Sequence, residues 1–418
     1  MSRTTVRDVT PSETAWLGDV PDYWEAVPLG HYFIERKETV SDVDYYPLSV
    51  TKQGIVPQLE DVAKTDAGDT RKLVRAGDIA INSRSDRKGS SGLSEYDGSV
   101  SVITTVMTPR GINPRFAHHL IRSVPFQEEF YRWGSGIVAD LWSTRWSAMK
   151  QIVLAVPPIA EQQAIADYLD RETAEIDAFI ADQERLVRLV HERRRTTVVA
   201  CQDSSGTREV QLCRVLRPMN RPALGNAGVI TAYRDGQVTL RSRRREDGYT
   251  FAEHEQGYQG VEPGDLVFHG LDGFAGAIGV SDSRGNASPV YHVCQAIDGD
   301  DVSYVAVLLQ HLAAVGYLAT QASSVRQRAV DFRNWHTLGS LRILLPPPEV
   351  QREAVASIRY DAMISEDVHQ SIALLRERRS ALITAAVTGQ INVTTGHFRN
   401  VSGPRQTGAV TDQEVNHV

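Results

Sequence analysis

Residues that could support nuclease chemistry lie near the start of the chain. Pro21-Asp22 and Glu35-Arg36-Lys37 together match the pattern PD…(D/E)xK. In nucleases with this pattern the carboxylates bind Mg²⁺ and the lysine assists the attacking water. The pattern is short and common, and its second part follows the domain's opening strand instead of lying in a core. We therefore rank a nuclease using Asp22, Glu35 and Lys37 third among three candidate functions.

Motifs of several other enzyme classes are missing from the sequence. The segments VPPI and LPPP lack the amide or acid that an amine methyltransferase places before its proline pair, and no GxGxxG turn follows a strand. The sequence contains no GxxxxGK(S/T) loop for ATP, and neither GxSxG nor HExxH. The cysteines Cys201, Cys213 and Cys294 have no metal-ligand spacing. We therefore expect a chain without catalytic residues, bound metal or a cofactor of its own.

Basic and polar loops form a second group of residues that could do chemistry. They carry Lys52, Gln53, Arg84, Arg87, Lys88 and Arg145 in the first half, and Arg241, Arg243, Arg244, Arg245, Arg326, Arg328 and Arg333 in the second. Such side chains reach the base edges and phosphates of DNA. A single one is more often a solvated surface charge. Because the loops recur at equivalent places in the two halves, we expect a DNA-binding face.

The overall charge is acidic, unlike these loops. The 418 residues carry a formal net charge of −7, and the pI is about 6.0. A protein that coats DNA by itself has a basic balance. The sequence therefore favours a local basic face and a partner that adds positive charge. Residues 1–30 lack an apolar signal region and no stretch can span a membrane, so we expect a cytoplasmic protein.

The chain consists of two copies of one unit. The matching blocks are WSAMKQIVLAVPPIAEQQ (146–163) with WHTLGSLRILLPPPEVQR (335–352), RAGDIAI (75–81) with EPGDLVF (262–268), and HERRR (191–195) with RERRS (376–380). Their common order argues against chance similarity. The spacing between copies falls from 189 residues at the proline pairs to 185 at the ERR blocks. We therefore expect the second helix to be shorter by four residues, about one turn.

Each copy begins with a mixed domain and ends in a long helix. Short strands are predicted at Tyr46–Val50, Asp78–Asn82 and Ser99–Met107, and one helix per copy at Pro114–Ser123 and Ser303–Ala319. The predicted boundaries are 1–155 and 205–344 for the domains, 156–204 and 345–393 for the helices, and 394–418 for a disordered tail.

The two long helices carry apolar positions at heptad spacing. The positions are Leu169, Thr173, Ile176, Ile180, Gln183, Val187 and Val190 in the first helix, and Ile358, Ala362, Val368, Ile372, Leu375 and Leu382 in the second. A helix of about 40 residues is about 60 Å long, more than a small domain can cover. We therefore expect an α+β protein in which two homologous domains are separated by two antiparallel helices, a coiled-coil-like spacer with pseudo-twofold symmetry.

The helix blocks resemble a known family. VPPIAEQQAIADYLDRETAEIDAFI, followed by LVRLVHERRR, resembles the first conserved-region helix of the specificity subunit of type I restriction-modification enzymes. LLPPPEVQREAV and LLRERRSALITAAVTGQI resemble the second. The resemblance extends to about Val393, because the order domain, helix, domain, helix is that subunit's layout. One departure is Glu349-Val350-Gln351 in the second copy, where the first copy has Ala160-Glu161-Gln162. Of these three positions, only the glutamine is identical in the two copies.

The resemblance implies a non-catalytic chain whose two target-recognition domains read the halves of a split, asymmetric double-stranded DNA sequence, with helices that set the unread gap. It implies two methyltransferase subunits as partners, and two restriction (motor-nuclease) subunits that join them. S-adenosylmethionine, ATP and Mg²⁺ would belong to those subunits. The residues expected at partner contacts are Glu161, Gln162, Gln351, Arg193 and Arg378. The alternative is a DNA-binding or scaffold adaptor of the same architecture without a methyltransferase partner.

Overall fold

Two compact units make up the chain. The computed structural model describes residues 15–18, 20–58, 70–84, 87–136, 142–244, 257–297, 299–321, 331–395 and 397–398. Unit 1 comprises Met1–Ala181 and Ile372–Val418, and unit 2 comprises Asp182–Ser371. Each unit contains one mixed domain, which we call head 1 (15–156) or head 2 (208–345), and a part of each long helix. The units therefore cut across the predicted boundaries between domains and helices.

The described residues of head 1 form short antiparallel strands and three α-helices. Its elements are β1 (Glu25–Pro28), β2 (Phe33–Glu35), β3 (Thr39–Val40), β4 (Leu48–Thr51), β5 (Gly54–Pro57), β6 (Arg71–Val74), β7 (Ile79–Asn82), β8 (Ser91–Leu93), β9 (Gly98–Val100), β10 (Thr104–Pro109), α1 (Pro114–Arg122), α2 (Val124–Arg132), α3 (Trp146–Met149) and β11 (Val153–Val156). The main sheet has the order β2-β10-β7-β8, a smaller one the order β3-β6-β9, and β1 pairs with β11.

Head 2 follows the first long helix, α4 (Ile159–Gln202), and repeats this plan. Its elements are β12 (Arg208–Gln211), β13 (Leu216–Pro218), β14 (Ile230–Ala232), β15 (Val238–Leu240), β16 (Gln259–Val261), β17 (Leu266–His269), β18 (Ile278–Val280), β19 (Gly285–Ala287), β20 (Tyr291–Ala296), α5 (Val302–Ala314), α6 (Tyr317–Gln321), α7 (Trp335–Gly339) and β21 (Arg342–Leu345). The sheet order β13-β20-β17-β18 and the pair β12–β21 match head 1. The predicted duplication is confirmed.

Two predicted elements are interrupted in the structure. The strand predicted at Ser99–Met107 is divided into β9 and β10 by a turn in which Thr104 N donates to Ser101 O at 2.9 Å. The helix predicted at Ser303–Ala319 ends at Ala314, and α6 starts after Gly316. Gly316 has φ +79°, a left-handed conformation that glycine adopts without a steric cost and that commonly ends helices.

A buried aspartate explains the repeated GD block. Asp78 is 2% exposed, accepts a hydrogen bond from Arg75 N at 2.9 Å, and pairs with Arg36 Nε at 2.6 Å. Asp265 in head 2 forms the same turn and an ion pair with Arg221. The hydrogen bond to Asp78 raises the pKa of Arg36. Each aspartate thus closes the turn before a central strand, β7 or β17, and compensates its own burial with a guanidinium.

The long helices run antiparallel within each unit. The second helix, α8 (Pro348–Val387), has 40 residues and α4 has 44, which confirms the predicted difference of four. In unit 1 the start of α4 packs with the end of α8, through Leu169 and Ile383 among others. In unit 2 the end of α4 packs with the start of α8, through Val198 and Val355. After α8, β22 (Ile391–Asn392) pairs with β23 (His397–Phe398), and the rest of the predicted disordered tail lies outside the described residues.

The predicted apolar face of the helices is largely buried. Its buried members are Leu169, Thr173, Ile176, Ile180, Ile358, Val368 and Ile372. The prediction is wrong at Ala362, which is exposed, because Asp361 occupies the heptad position three residues after Ile358 and is 1% exposed. Within the described residues, no helix is both long and apolar enough to cross a membrane.

Candidate nucleic-acid interface

Two of the predicted DNA-binding segments of head 1 meet at one end of its main sheet. The first segment follows β7, and the second precedes α3. Thr144 N donates to Ser83 O at 3.0 Å, and Arg84 forms a β-bridge with Ser143. This pairing places exposed Arg84 beside the segment that carries exposed Arg145. The residues are about sixty positions apart, so the sheet end brings them together.

The β4–β5 turn reaches the same end of the sheet through Arg122. Arg122 Nη2 donates to Lys52 O at 2.5 Å, and Nη1 donates to Ser91 O at 3.3 Å. Ser91 begins β8, directly after the loop that carries Arg84. Lys52 and Gln53 are both exposed on the turn. The three predicted segments of head 1 therefore form one surface.

Contacts with α2 hold the loop after β7. Lys88 forms an ion pair with Glu128, and its Nζ lies 4.8 Å from the ring centroid of Tyr131. Arg87 N donates to Arg84 O at 3.3 Å and closes a turn in the loop. Glu128 offsets part of the positive charge of Lys88, so exposed Arg84 contributes more of the loop's positive field than Lys88 does.

Head 2 places one arginine as head 1 does. Phe332 N donates to Gly270 O at 2.8 Å, which is the equivalent of the Thr144–Ser83 bond. Arg333 follows Phe332 as Arg145 follows Thr144. Arg333 Nη2 lies 2.6 Å from Asp331 Oδ2, and the guanidinium lowers the pKa of Asp331 to about 2. Glycine is needed at 270, since a Cβ there would come within 2.9 Å of Arg333 Cγ and 2.7 Å of a backbone oxygen.

The arginine run after β15 is less basic than its sequence indicates. Arg243 Nη1 lies 3.7 Å from Asp282 Oδ1, and Arg244 forms an ion pair with Asp235. Arg241 Nε donates to Thr231 Oγ1 at 3.3 Å. The run is therefore partly neutralised by acidic neighbours that sequence reading did not connect with it. The other candidates of head 2, Arg245, Arg326 and Arg328, lie outside the described residues.

The glutamines shared by the proline blocks have an internal role. Gln162 Oε1 accepts a hydrogen bond from Asn113 N at 2.7 Å, and its Nε2 donates to Pro157 O at 2.8 Å. In the second copy, Gln351 Oε1 accepts from Asp301 N at 2.7 Å. Asn113 and Asp301 are the N-caps of α1 and α5. Each glutamine therefore ties the first turn of a long helix to the cap of a head helix.

This role corrects the partner contact predicted for the two glutamines. Gln162 is 2% exposed and Gln351 0%, so neither amide is available to another chain. The sequence contained a sign of this internal role, because the glutamine is identical in the two proline blocks while the residue before it differs. Of the other residues expected at partners, Glu161 accepts a hydrogen bond from Tyr23 Oη at 3.2 Å. Arg193 and Arg378 are exposed on the helices.

The nuclease-like residues lie at the edge of the main sheet. Glu35 ends β2, the edge strand, and Lys37 Nζ lies 3.6 Å from Glu35 Oε2 with its side chain 79% exposed. A nuclease site would place these groups on a strand in the core. In the described part of the chain, no three His, Cys, Asp or Glu side chains are grouped so that they could hold a metal ion.

Solved structures include chains with a similar fold. No family model and no curated protein matches the sequence. A chain from a solved structure described as "Structural basis underlying complex assembly and conformational transition of the type I R-M system" matches with a TM-score of 0.55 and 16% identity, over 88% of this chain and 98% of that chain. The chain shares its fold with a subunit of a type I restriction-modification system.

Two further structures match with lower TM-scores. The HsdS subunit from Thermoanaerobacter tengcongensis has a TM-score of 0.43 and 17% identity, over 89% of this chain and 98% of that one. The type I restriction-modification S subunit from M. genitalium has a TM-score of 0.47 and 14% identity, over 88% and 96%. This fold match and the order of the described elements confirm the predicted α+β class, with two copies of a mixed domain that are each followed by a long helix.

Proposed function

We propose that this chain is the DNA sequence-specificity subunit of a type I restriction-modification complex. One observation carries the proposal: both heads place an arginine, Arg145 or Arg333, beside the loop after the central strand, in a fold shared with a type I restriction-modification subunit. The heads are alike in topology and differ in their loops. Duplicated readers with different loops suit the two unlike halves of an asymmetric DNA sequence.

The surrounding contacts fit a reading role for these arginines. A guanidinium can donate two hydrogen bonds to one guanine edge or to one phosphate. The ion pair with Asp331 limits the orientations of Arg333, which lowers the entropy lost when DNA binds, and it offsets part of the arginine's charge, as Asp235 does for Arg244. In head 1, Arg84 lies beside the Arg145 segment and can supply a second contact.

The chemistry of the complex would belong to the partners of this chain. We propose two methyltransferase subunits as partners, which would hold S-adenosylmethionine and contact the helices near Glu161, Arg193 and Arg378. Two restriction subunits would bring ATP and Mg²⁺. This chain would itself be non-catalytic, and the length of α4 and α8 would set the number of unread base pairs.

The test is a map of methylated DNA in cells that carry this chain and its methyltransferase. Deleting the chain should abolish one bipartite motif. Arg145→Ala should relax one half of the motif and Arg333→Ala the other, each by about 10- to 100-fold in discrimination. Arg110→Ala is the matched control, because Arg110 is exposed and follows β10 at the opposite end of the sheet.

Two results would contradict the proposal. A methylation map that stays the same after deletion of the chain would exclude a specificity role. DNA binding by a chain that copurifies with no methyltransferase would favour the adaptor of the same architecture.

A further inference from the structure

A basic groove opens where head 1 meets the long helices. Its volume is about 430 Å³. Its cationic side chains are Lys52 from the β4–β5 turn, Arg122 at the end of α1, and Arg376 and Arg379 from the RERRS block of α8. Asp177 of α4 is the one acidic side chain among the described residues that line it. Cationic side chains therefore outnumber acidic ones in the lining.

The electrostatics of the groove favour a bound anion. Asp177 Oδ1 lies 2.8 Å from Arg379 Nε and compensates the charge of that arginine. Burial lowers the pKa of Arg122, and the charge of Arg379 lowers it further. Like charges held together in a partly buried site repel each other, and an anion placed between them removes that cost.

Unit 2 contains an equivalent groove, of about 280 Å³. It is lined by His191, Arg194 and Arg195 of the HERRR block, which match Arg376, Arg379 and Ser380 in the alignment of the two copies. Arg194 Nη2 donates to Gln310 Oε1 at 2.9 Å, and Gln310 occupies the place of Arg122 near the end of the head helix. The two ERR blocks thus have the same location, each beside a head helix.

The hairpin turns also recur at the grooves. In unit 1 the turn that carries Lys52 and Gln53 lines the groove. In unit 2 the β14–β15 turn packs so closely on Gln310 that a Cβ at Gly236 would lie 2.2 Å from its Nε2. The described lining of the second groove contains two arginines and no lysine, so it has fewer cationic side chains than the first groove.

We propose that each groove binds one phosphate of the DNA backbone and reads no base. The proposal rests on the function proposed above. Lys52 and Gln53 belong both to the groove and to the candidate DNA face of head 1, which makes the groove continuous with that face. This continuity favours a DNA phosphate over an acidic surface of a partner protein. Guanidinium and ammonium groups are the side chains that bind phosphate best.

The test compares the salt dependence of DNA binding by the full-length chain assembled with its methyltransferase. The probes are a duplex that contains the mapped motif and an unrelated duplex of equal length. Arg376→Ala should make the negative slope of log K against log salt less steep by about 0.9 on both duplexes. The ratio of the wild-type binding constant to that of the variant then falls about 3.5-fold between 50 and 200 mM salt. Arg376→Lys keeps the charge and should restore most of the slope.

Matched controls come from the same helices. Arg171 is exposed on α4 in the same unit and does not line the groove, so Arg171→Ala should leave the slope at the wild-type value. In unit 2, Arg195→Ala should lower the slope, and Arg188→Ala, a change at an exposed residue outside that groove, should not.

Three results would overturn the proposal. The first is equal slopes for Arg376→Ala and Arg171→Ala. The second is loss of the methyltransferase with an unchanged slope, which would assign the groove to protein docking. The third is a changed DNA motif, which would mean that the groove reads bases. In each case the wild-type protein would still bind its motif selectively. Such a result would therefore refute phosphate binding in the grooves without refuting the proposed function.

Discussion

Replacing Gln162 by alanine should destabilise unit 1 far more than the same change at Gln163. Gln162 is buried and makes hydrogen bonds of 2.7 Å with Asn113 N and 2.8 Å with Pro157 O. The substitution leaves both backbone groups without their partner, and each such buried group costs about 1–3 kcal/mol. The cavity left by the side chain adds to this cost. We expect a loss of about 3 kcal/mol in the free energy of unfolding.

Gln163 provides the matched control. Its amide also forms two hydrogen bonds, with Asn113 Nδ2 at 2.6 Å and with Asp167 Oδ1 at 2.9 Å, but the residue is exposed. Water can replace both partners, so Gln163→Ala should cost less than about 1 kcal/mol. Gln162→Met keeps most of the side-chain volume without the hydrogen bonds, and it separates the hydrogen-bond cost from the cavity cost.

The measurement is thermal unfolding of the full-length chain by calorimetry. For a unit of this size, about 3 kcal/mol lowers the midpoint of its transition by about 6–12 °C. Gln162→Met should retain more than half of that shift if the hydrogen bonds dominate. The reasoning would be refuted by a Gln162→Ala midpoint no lower than that of Gln163→Ala.

Two further predictions concern pH and helix length. His118 Nδ1 accepts a hydrogen bond from Leu93 N at 3.0 Å, and burial lowers the pKa of His118 to about 3. The unfolded chain therefore takes up a proton below about pH 6.5 that the folded chain does not, so stability should fall by up to about 1.4 kcal/mol per pH unit from pH 6.5 towards 3. His118→Asn should flatten this fall in urea midpoints, and an unchanged pH dependence would argue against it. Inserting four residues after Arg359, roughly one turn, should lengthen the unread gap in the methylation map, whereas altered half-site bases would count against helices that set the gap.

Repetition and periodicity made much of the fold predictable. The two copies of the GD, proline and ERR blocks predicted the duplicated heads. The change in spacing between the copies predicted the difference of four residues between α4 and α8. The apolar heptads gave most of the buried helix face. Asp361 was missed, because a search for apolar residues does not find a carboxylate at a buried heptad position. The Oδ2 atom of Asp361 lies 3.6 Å from Arg193 Nε.

The candidate DNA surface was predictable as loops but not as a set of charges. Polarity and recurrence identified the segments around Lys52, Arg84 and Arg145. Their convergence depends on strand register and on Arg122, which joins the β4–β5 turn to β8. The neutralisation of Arg244 by Asp235 depends likewise on the local path of the chain.

The sequence by itself determined the number of heads, their class and the lengths of the helices, because these follow from local composition and from periods of a few residues. The tertiary structure decided which loops share a surface, that Gln162 and Gln351 face inwards, and that the ERR blocks line grooves beside the head helices. Those outcomes depend on contacts between residues tens to hundreds of positions apart. The free energy of such contacts comes from burial and hydrogen bonding in three dimensions, which no local pattern of residues records.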